Sequence, residues 1–192
     1  MKSTLRPALV LFGALTIACG ILYPLLVTGI GAVLFPAQVA GSMIERDGVL
    51  VGSRLIGQSF TSPQYFWGRP SATATMAYNG AASGGANLSP ANPAQLAAVQ
   101  ARIAALMAAD PRNRLPVPVD LVTASASGLD PDISVAGARY QSARVAAARG
   151  IGAERIDALV HQHSRMPLAG VLGEASVNVL ELNLALDALA TP

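Results

Sequence analysis

The chain has 192 residues, 52% hydrophobic and only 12% charged, a balance that excludes a disordered or charge-dominated protein. Lys2 and Arg6 supply its formal charge of +2; from residue 7 onward 11 arginines meet 11 acidic residues, leaving no electrostatic footprint for nucleic acid or anionic surfaces. Lys2 is the sole lysine and Cys19 the sole cysteine, which excludes a Walker A loop, a Ser-x-x-Lys nucleophile, a Schiff-base lysine and any internal disulfide.

Residues 8–35 contain no charged side chain. A helix needs about 20 mainly apolar residues to cross a hydrocarbon core near ~30 Å, so this run is expected to be a transmembrane helix. Residues 1–7 form a short basic arm with Lys2 and Arg6, whereas Glu45, Arg46 and Asp47 beyond the span carry no positive excess. That asymmetry predicts a cytoplasmic N-terminus and an extracytoplasmic domain over residues 36–192. A cleaved signal peptide fits less well, because its apolar region is about 7–15 residues long and Ala37 and Ala40 have the wrong spacing for a cleavage site. Thr16-Ile17-Ala18-Cys19-Gly20 is a weak lipoprotein-type site, with Thr16 where Leu is usual and the apolar run continuing past Cys19.

Within the span Gly13, Thr16, Gly20, Pro24, Thr28 and Gly31 recur at steps of three or four, which lays small or hydroxyl residues along one face. Such a face lets another helix approach closely in lipid, so these six residues are candidate partner contacts. Pro24 is expected to kink the helix, because it lacks a backbone donor and clashes with the preceding turn.

Past the span, residues 38–44 are a short passage and residues 48–60 a β-rich run read as one or two short strands. Residues 61–93 are crowded with Pro, Gly, Ser and Asn yet hold Tyr65, Phe66, Trp67 and Tyr78. A loop this long is usually functional or an interface, and Tyr65, Phe66, Arg69 and Tyr78 are its candidate contacts. Asn92-Pro93 is a cap-then-proline helix start, and apolar residues at helical spacing continue until Asp110-Pro111. Residues 115–123 alternate as an edge strand would, residues 125–132 read as a turn, and Asp130-Pro131 is expected to open a helix that stops at Gly150. Another helix covers residues 153–162. Residues 177–189 are apolar on nearly every side, a buried or interface helix with a strand as the alternative.

Catalytic and metal constellations are weak. His161 and His163 stand two apart and point in different directions on a helix. Asp130 and Asp132 lack the further oxygens of a calcium loop. No Gly-x-Ser-x-Gly elbow marks a nucleophile, and Ser83-Gly84-Gly85-Ala86-Asn87 lacks the Lys-Ser/Thr pair of a phosphate loop. The expectation is a chain with no catalytic centre, no metal and no cofactor of its own.

Ordered blocks along nearly the whole chain resemble the C subunit family of the bacterial Kdp potassium-transporting P-type ATPase. They are Tyr23-Pro24-Leu25 with Thr28, Phe35-Pro36, Gly41-Ser42, Gly52-Ser53-Arg54-Leu55-Ile56-Gly57-Gln58, Tyr65-Phe66, Arg69-Pro70-Ser71-Ala72 and Tyr78-Asn79. Further on come Ser83-Gly84-Gly85, Pro118-Val119-Asp120-Leu121-Val122-Thr123, Ser127-Gly128-Leu129-Asp130-Pro131, Arg144-Val145-Ala146 and Val177-Asn178-Val179-Leu180. Ala86, Ala126, Asp132 and Ala175 depart from the residues usual there, namely Ser, Gly, His and Pro.

The elements so read make an α+β chain with a single N-terminal transmembrane helix and one mixed extracytoplasmic domain, and the resemblance implies that it is one subunit of a complex in the inner membrane. It implies a non-catalytic accessory subunit of an ATP-driven potassium uptake complex, partnered by a potassium-conducting subunit and an ATP-hydrolysing P-type subunit. The family is described as a chaperone-like helper that raises the hydrolysing subunit's affinity for ATP. With the domain outside and ATP inside, that effect would be an indirect coupling through the span. Two rivals come from other classes: an anchored serine hydrolase using Ser127, and a lipoprotein binding module acylated on Cys19.

Overall fold

The computed structural model describes residues 4–189. Lys2 of the basic arm lies outside the described residues. The chain divides into two compact units, with the boundary between Leu50 and Val51.

In the first unit a continuous helix runs over Leu5–Leu34, with a mean hydropathy of 2.3 in its most apolar window and none of that window buried. Its length and composition are those of a single membrane span. It consists of α1 (Leu5–Ile17), a π turn at Ala18–Leu22 and α2 (Tyr23–Leu34). Pro24 has no N–H to offer the Gly20 carbonyl, and immediately before it the Tyr23 N–H reaches back to Ala18 O, five residues away. The disruption expected at Pro24 thus takes the form of a widened turn inside an unbroken helix. A short α3 (Pro36–Val39) follows, then β1 (Met43–Arg46) and β2 (Val49–Ser53), which pair as a two-stranded sheet; β2 continues past Leu50 into the second unit. Asp47 and Gly48 at the turn both have positive φ, 53° and 76°. The Asp-Gly pair is the strongest short-range hairpin signal, and it places the first strand earlier than residues 48–60 alone suggested.

The second unit is a mixed α/β domain. Its α4 (Pro93–Ala109) starts as the sequence predicts, the Asn92 side chain accepting from Ala94 N at 2.9 Å. The sheet is antiparallel in the order β3 (Asp132–Ser134), β5 (Ser176–Asn178), β4 (Ser164–Arg165), with Ile133 opposite Val177. Helices α5 (Val135–Arg149), α6 (Ala153–His163) and α7 (Val179–Leu189) complete the unit. Val145, Ile156, Val160, Val177, Leu182 and Leu186 form its wholly buried centre, at most 1% exposed. Gly150, at φ 65°, ends α5 in the left-handed conformation that favours glycine.

Two expectations give way. Residues 115–123 are not a strand but lead into a single turn at Val119–Leu121. Pro116 and Pro118 cannot donate to a ladder, and the Thr123 hydroxyl donates locally to Val119 O at 2.8 Å instead. Nor does Asp130-Pro131 open α5. Asp130 is drawn away by Arg69 and by the Asp132 N–H, leaving Ser134 to cap the helix by accepting from Gly137 N at 2.8 Å. Residues 177–189 combine both alternatives: β5 runs directly into α7, whose first turn is capped by Asn178 Oδ1 accepting from Glu181 N at 3.1 Å.

Candidate interaction surfaces

From residue 54 to residue 92 the second unit has no regular element, yet side chains of α5 and α7 fix the part around residues 66 and 67. Phe66 is 0% exposed and sits in the core. Its N–H donates to Asn183 Oδ1 at 2.9 Å, and its carbonyl accepts from Asn183 Nδ2 at 3.0 Å. The next residue repeats the pattern: Trp67 N–H donates to Gln141 Oε1 at 2.8 Å and its carbonyl accepts from Gln141 Nε2 at 3.1 Å. Two buried amide side chains, one from α7 and one from α5, therefore do for residues 66 and 67 what a neighbouring strand does in a sheet. Each amide supplies one acceptor and donors, which matches one main-chain N–H and C=O.

Arginines lock the flanks. The Arg144 guanidinium lies 4.3 Å over the Trp67 ring and donates to Pro63 O at 2.6 Å and to Gln141 Oε1 at 2.7 Å. Burial pushes its pKa down to about 10. Arg149 stacks 4.8 Å over Tyr65, donates to Gln64 O at 2.8 Å and pairs with Asp187 at 2.7 Å. The Tyr65 hydroxyl also donates to Asp187 Oδ2 at 3.2 Å.

Tyr78 fills a slot made by absent side chains. A Cβ on Gly57 would run into its ring and would lie 2.6 Å from Asp130 O, and a Cβ on Gly68 would lie 2.7 Å from its hydroxyl. The hydroxyl donates to Arg69 O, while Arg69 itself pairs with Asp130 at 2.9 Å. Burial, reinforced by the Asp130 charge, raises the Tyr78 pKa to about 12. The glycine-rich loop is likewise internal: Gly84 N–H and the Ser83 hydroxyl both donate to Ser127 O, at 2.8 and 3.1 Å. A Cβ on Gly85 would sit 2.9 Å from Ala126 O, so these glycines permit two loops to pack backbone to backbone.

The four loop residues that the sequence singles out are thus brought together, but by internal bonds. Phe66 presents no surface, and Tyr65, Arg69 and Tyr78 are part-buried. Sequence reading missed Gln141, Asn183 and Arg144, whose partners lie 74, 117 and 81 residues away. Open surface beside the loop is an apolar cleft of about 390 Å³ between α4 and Trp67, lined by Phe60, Pro70, Ala105, Leu106 and Leu121. On the span, Gly13 and Thr16 lie in α1, Gly20 in the π turn, and Pro24, Thr28 and Gly31 in α2. Gly29 also opens a shallow groove there, walled by Leu25, Leu26, Ile30 and Val33.

Among the described residues no group of three or more His, Cys, Asp or Glu is placed to hold a metal. The Ser127 hydroxyl accepts from Leu129 N at 3.1 Å and neighbours Ser125 Oγ at 3.4 Å, which is a turn-forming arrangement. His163 Nδ1 lies 3.0 Å from Leu159 O at the end of α6.

The family described as K+-transporting ATPase, c chain (KdpC) matches residues 5–188. The chain is 65% identical to the Potassium-transporting ATPase KdpC subunit of Polaromonas naphthalenivorans, over 98% of this chain and 96% of that protein. It is 64% identical to the subunit of the same name from Methylibium petroleiphilum, over 97% of this chain and 98% of that one. Against the one from Herpetosiphon aurantiacus identity is 58%, over 97% of both. A match of this extent takes in the span, the irregular stretch and the helical core together, and the chain belongs to the KdpC family.

Proposed function

We propose that this chain is a membrane-anchored, non-catalytic accessory subunit of an ATP-driven potassium uptake complex. The observation that carries the reading is the end-to-end match, span and domain alike, to proteins named as subunits of a potassium-transporting ATPase. Its partners are a potassium-conducting subunit and an ATP-hydrolysing subunit. The N-terminus faces the cytoplasm in the inner membrane, and the domain lies outside; Arg6 in the first turn of the helix, against Glu45, Arg46 and Asp47 with no positive excess after it, supports this.

The span packs against neighbouring subunit helices through Gly13, Thr16, Gly20, Pro24, Thr28 and Gly31. In the domain, Tyr65, Phe66, Arg69 and Tyr78 set the shape of the irregular layer that docks over the conducting subunit's mouth. A chaperone-like rise in ATP affinity of the hydrolysing subunit is then a coupling between sites on opposite sides of the bilayer. ATP belongs to the partner, and this chain needs no cofactor.

Co-purification of the complex with residues 1–35 deleted tests the reading. Loss of this chain from the complex is the expected result; stoichiometric retention would reduce the helix to a tether. A tag on the C-terminus should be cut by protease added to sealed spheroplasts, and survival of the tag there would overturn the orientation.

A further inference from the structure

Net charge conceals how the domain distributes its charges. Arg54, Arg69, Arg149 and Arg165 are each paired with a carboxylate among Asp130, Asp132, Glu181 and Asp187. A different group of arginines lines one open cleft of about 640 Å³ between the segment after α4 and one face of α5. Arg112, Arg114, Arg139 and Arg144 all face it, against the single carboxylate of Asp110.

None of those four has a carboxylate in an ion pair. Arg114 donates to Pro111 O at 3.0 Å, and Arg144 donates to Pro63 O and to the Gln141 amide oxygen, all neutral acceptors. Arg112 and Arg139 are exposed at the rim. Asp110 turns one oxygen, Oδ2, into a buried place with no hydrogen-bond partner, so it does not close the cleft by bridging the guanidiniums. Ala143, Ala147 and Ala148 line the same cleft on α5, and their short side chains leave it open between the arginines. Burial lowers the pKa of Arg144 and the Asp110 charge opposes that shift, so this one carboxylate acts on the innermost of four arginines.

We propose that this arginine-lined cleft binds a phosphate group, carried by a phospholipid headgroup or present as the free ion. Guanidinium forks match phosphate oxygens two at a time, and several lining one recess favour a multiply coordinated anion over scattered screening ions. An anchored chain meets headgroups at high local concentration, which makes the lipid the first source to test. Arg144 is both a wall of the cleft and the cation stacked on Trp67, the one tryptophan of the chain, so occupancy has a built-in reporter.

The full-length chain in neutral detergent micelles is titrated at constant ionic strength with inorganic phosphate in one arm and dihexanoyl phosphatidylglycerol in the other. Trp67 fluorescence and titration calorimetry are followed together, with chloride as the reference anion. Saturable binding is expected, weakened about tenfold in the Arg112→Gln/Arg139→Gln double variant and unchanged in Arg155→Gln, an exposed arginine outside the cleft. Tighter binding in the lipid arm assigns the headgroup; equal binding in both assigns the free ion. No saturable signal in either arm, or binding that the double variant retains, overturns the proposal.

Discussion

Two halves of the C-terminal domain reach order by different means. The α5–α6–α7 half is organised by periodicity: apolar residues meet on helix faces, and main-chain groups bond within their own elements. Residues 54–92 have no period to exploit, so their main-chain groups are satisfied piecemeal: Gly57 and Gly84 donate to the carbonyls of Leu129 and Ser127, and Phe66 and Trp67 are served by the side chains of Asn183 and Gln141. An irregular trace is not a loose one when buried amides take the place of a partner strand. The contrast predicts that removing a buried amide that serves the irregular half destabilises nearly as much as a cavity in the helical half.

Leu182→Ala sets the scale in the helical half. It empties a site that is 0% exposed, and unfolding of the full chain in detergent should become easier by about 3 kcal/mol. Asn183→Ala should follow closely, at about 2 kcal/mol, because it strands the N–H and the C=O of Phe66 in the interior. Two probes sharpen this comparison: far-ultraviolet dichroism follows the helices, and Trp67 fluorescence follows the irregular half. Coincident urea midpoints in Asn183→Ala mean one cooperative unit; a Trp67 midpoint that falls alone would split the domain in two.

Gly57→Ala should cost about 1–2 kcal/mol, since its methyl group meets both the Tyr78 ring and the Asp130 carbonyl. A Tyr78→Ala change on the same background should recover part of that loss by vacating the slot, and failure to recover would show that the carbonyl contact dominates. Tyr78→Phe gives the smallest effect, about 1 kcal/mol for the lost bond to Arg69 O. Its pH dependence has a definite sign. Folding raises the Tyr78 pKa from 10.0 to about 12, so the hydroxyl's contribution is complete below pH 10 and is lost as pH rises toward 12. The stability gap between wild type and Tyr78→Phe should therefore narrow across that window in denaturant titrations.

What could be read in advance followed the same division. Asn92-Pro93, Gly150 and the uncharged run each carry their instruction locally, and α4, the end of α5 and the span sit where those residues put them. The Asp47-Gly48 hairpin signal is equally local, but a β-rich run counted from Gly48 leaves out the strand on its other side. Asp130-Pro131 misled because a long-range partner, Arg69, claims the carboxylate that would have capped a helix. The alternation over residues 115–123 misled because two prolines remove the donors a strand requires. Nothing local could reveal the Gln141 and Asn183 pairings, since a buried Asn or Gln on a helix face reads as polar surface until its distant partner is known. The arginine-lined cleft was hidden by arithmetic: equal totals of acids and arginines say nothing about where each is spent.

The widened turn at Ala18–Leu22 has a consequence for any assembly in the bilayer. A bond that reaches back five residues places one more residue in the turn than the α-helical repeat allows, which rotates everything beyond it by roughly 100°. Gly13 and Thr16 on one side of it, and Thr28 and Gly31 on the other, therefore look along different azimuths. A single rod of this kind can lean on one neighbour in the first leaflet and on another in the second, joining two proteins that need not touch each other.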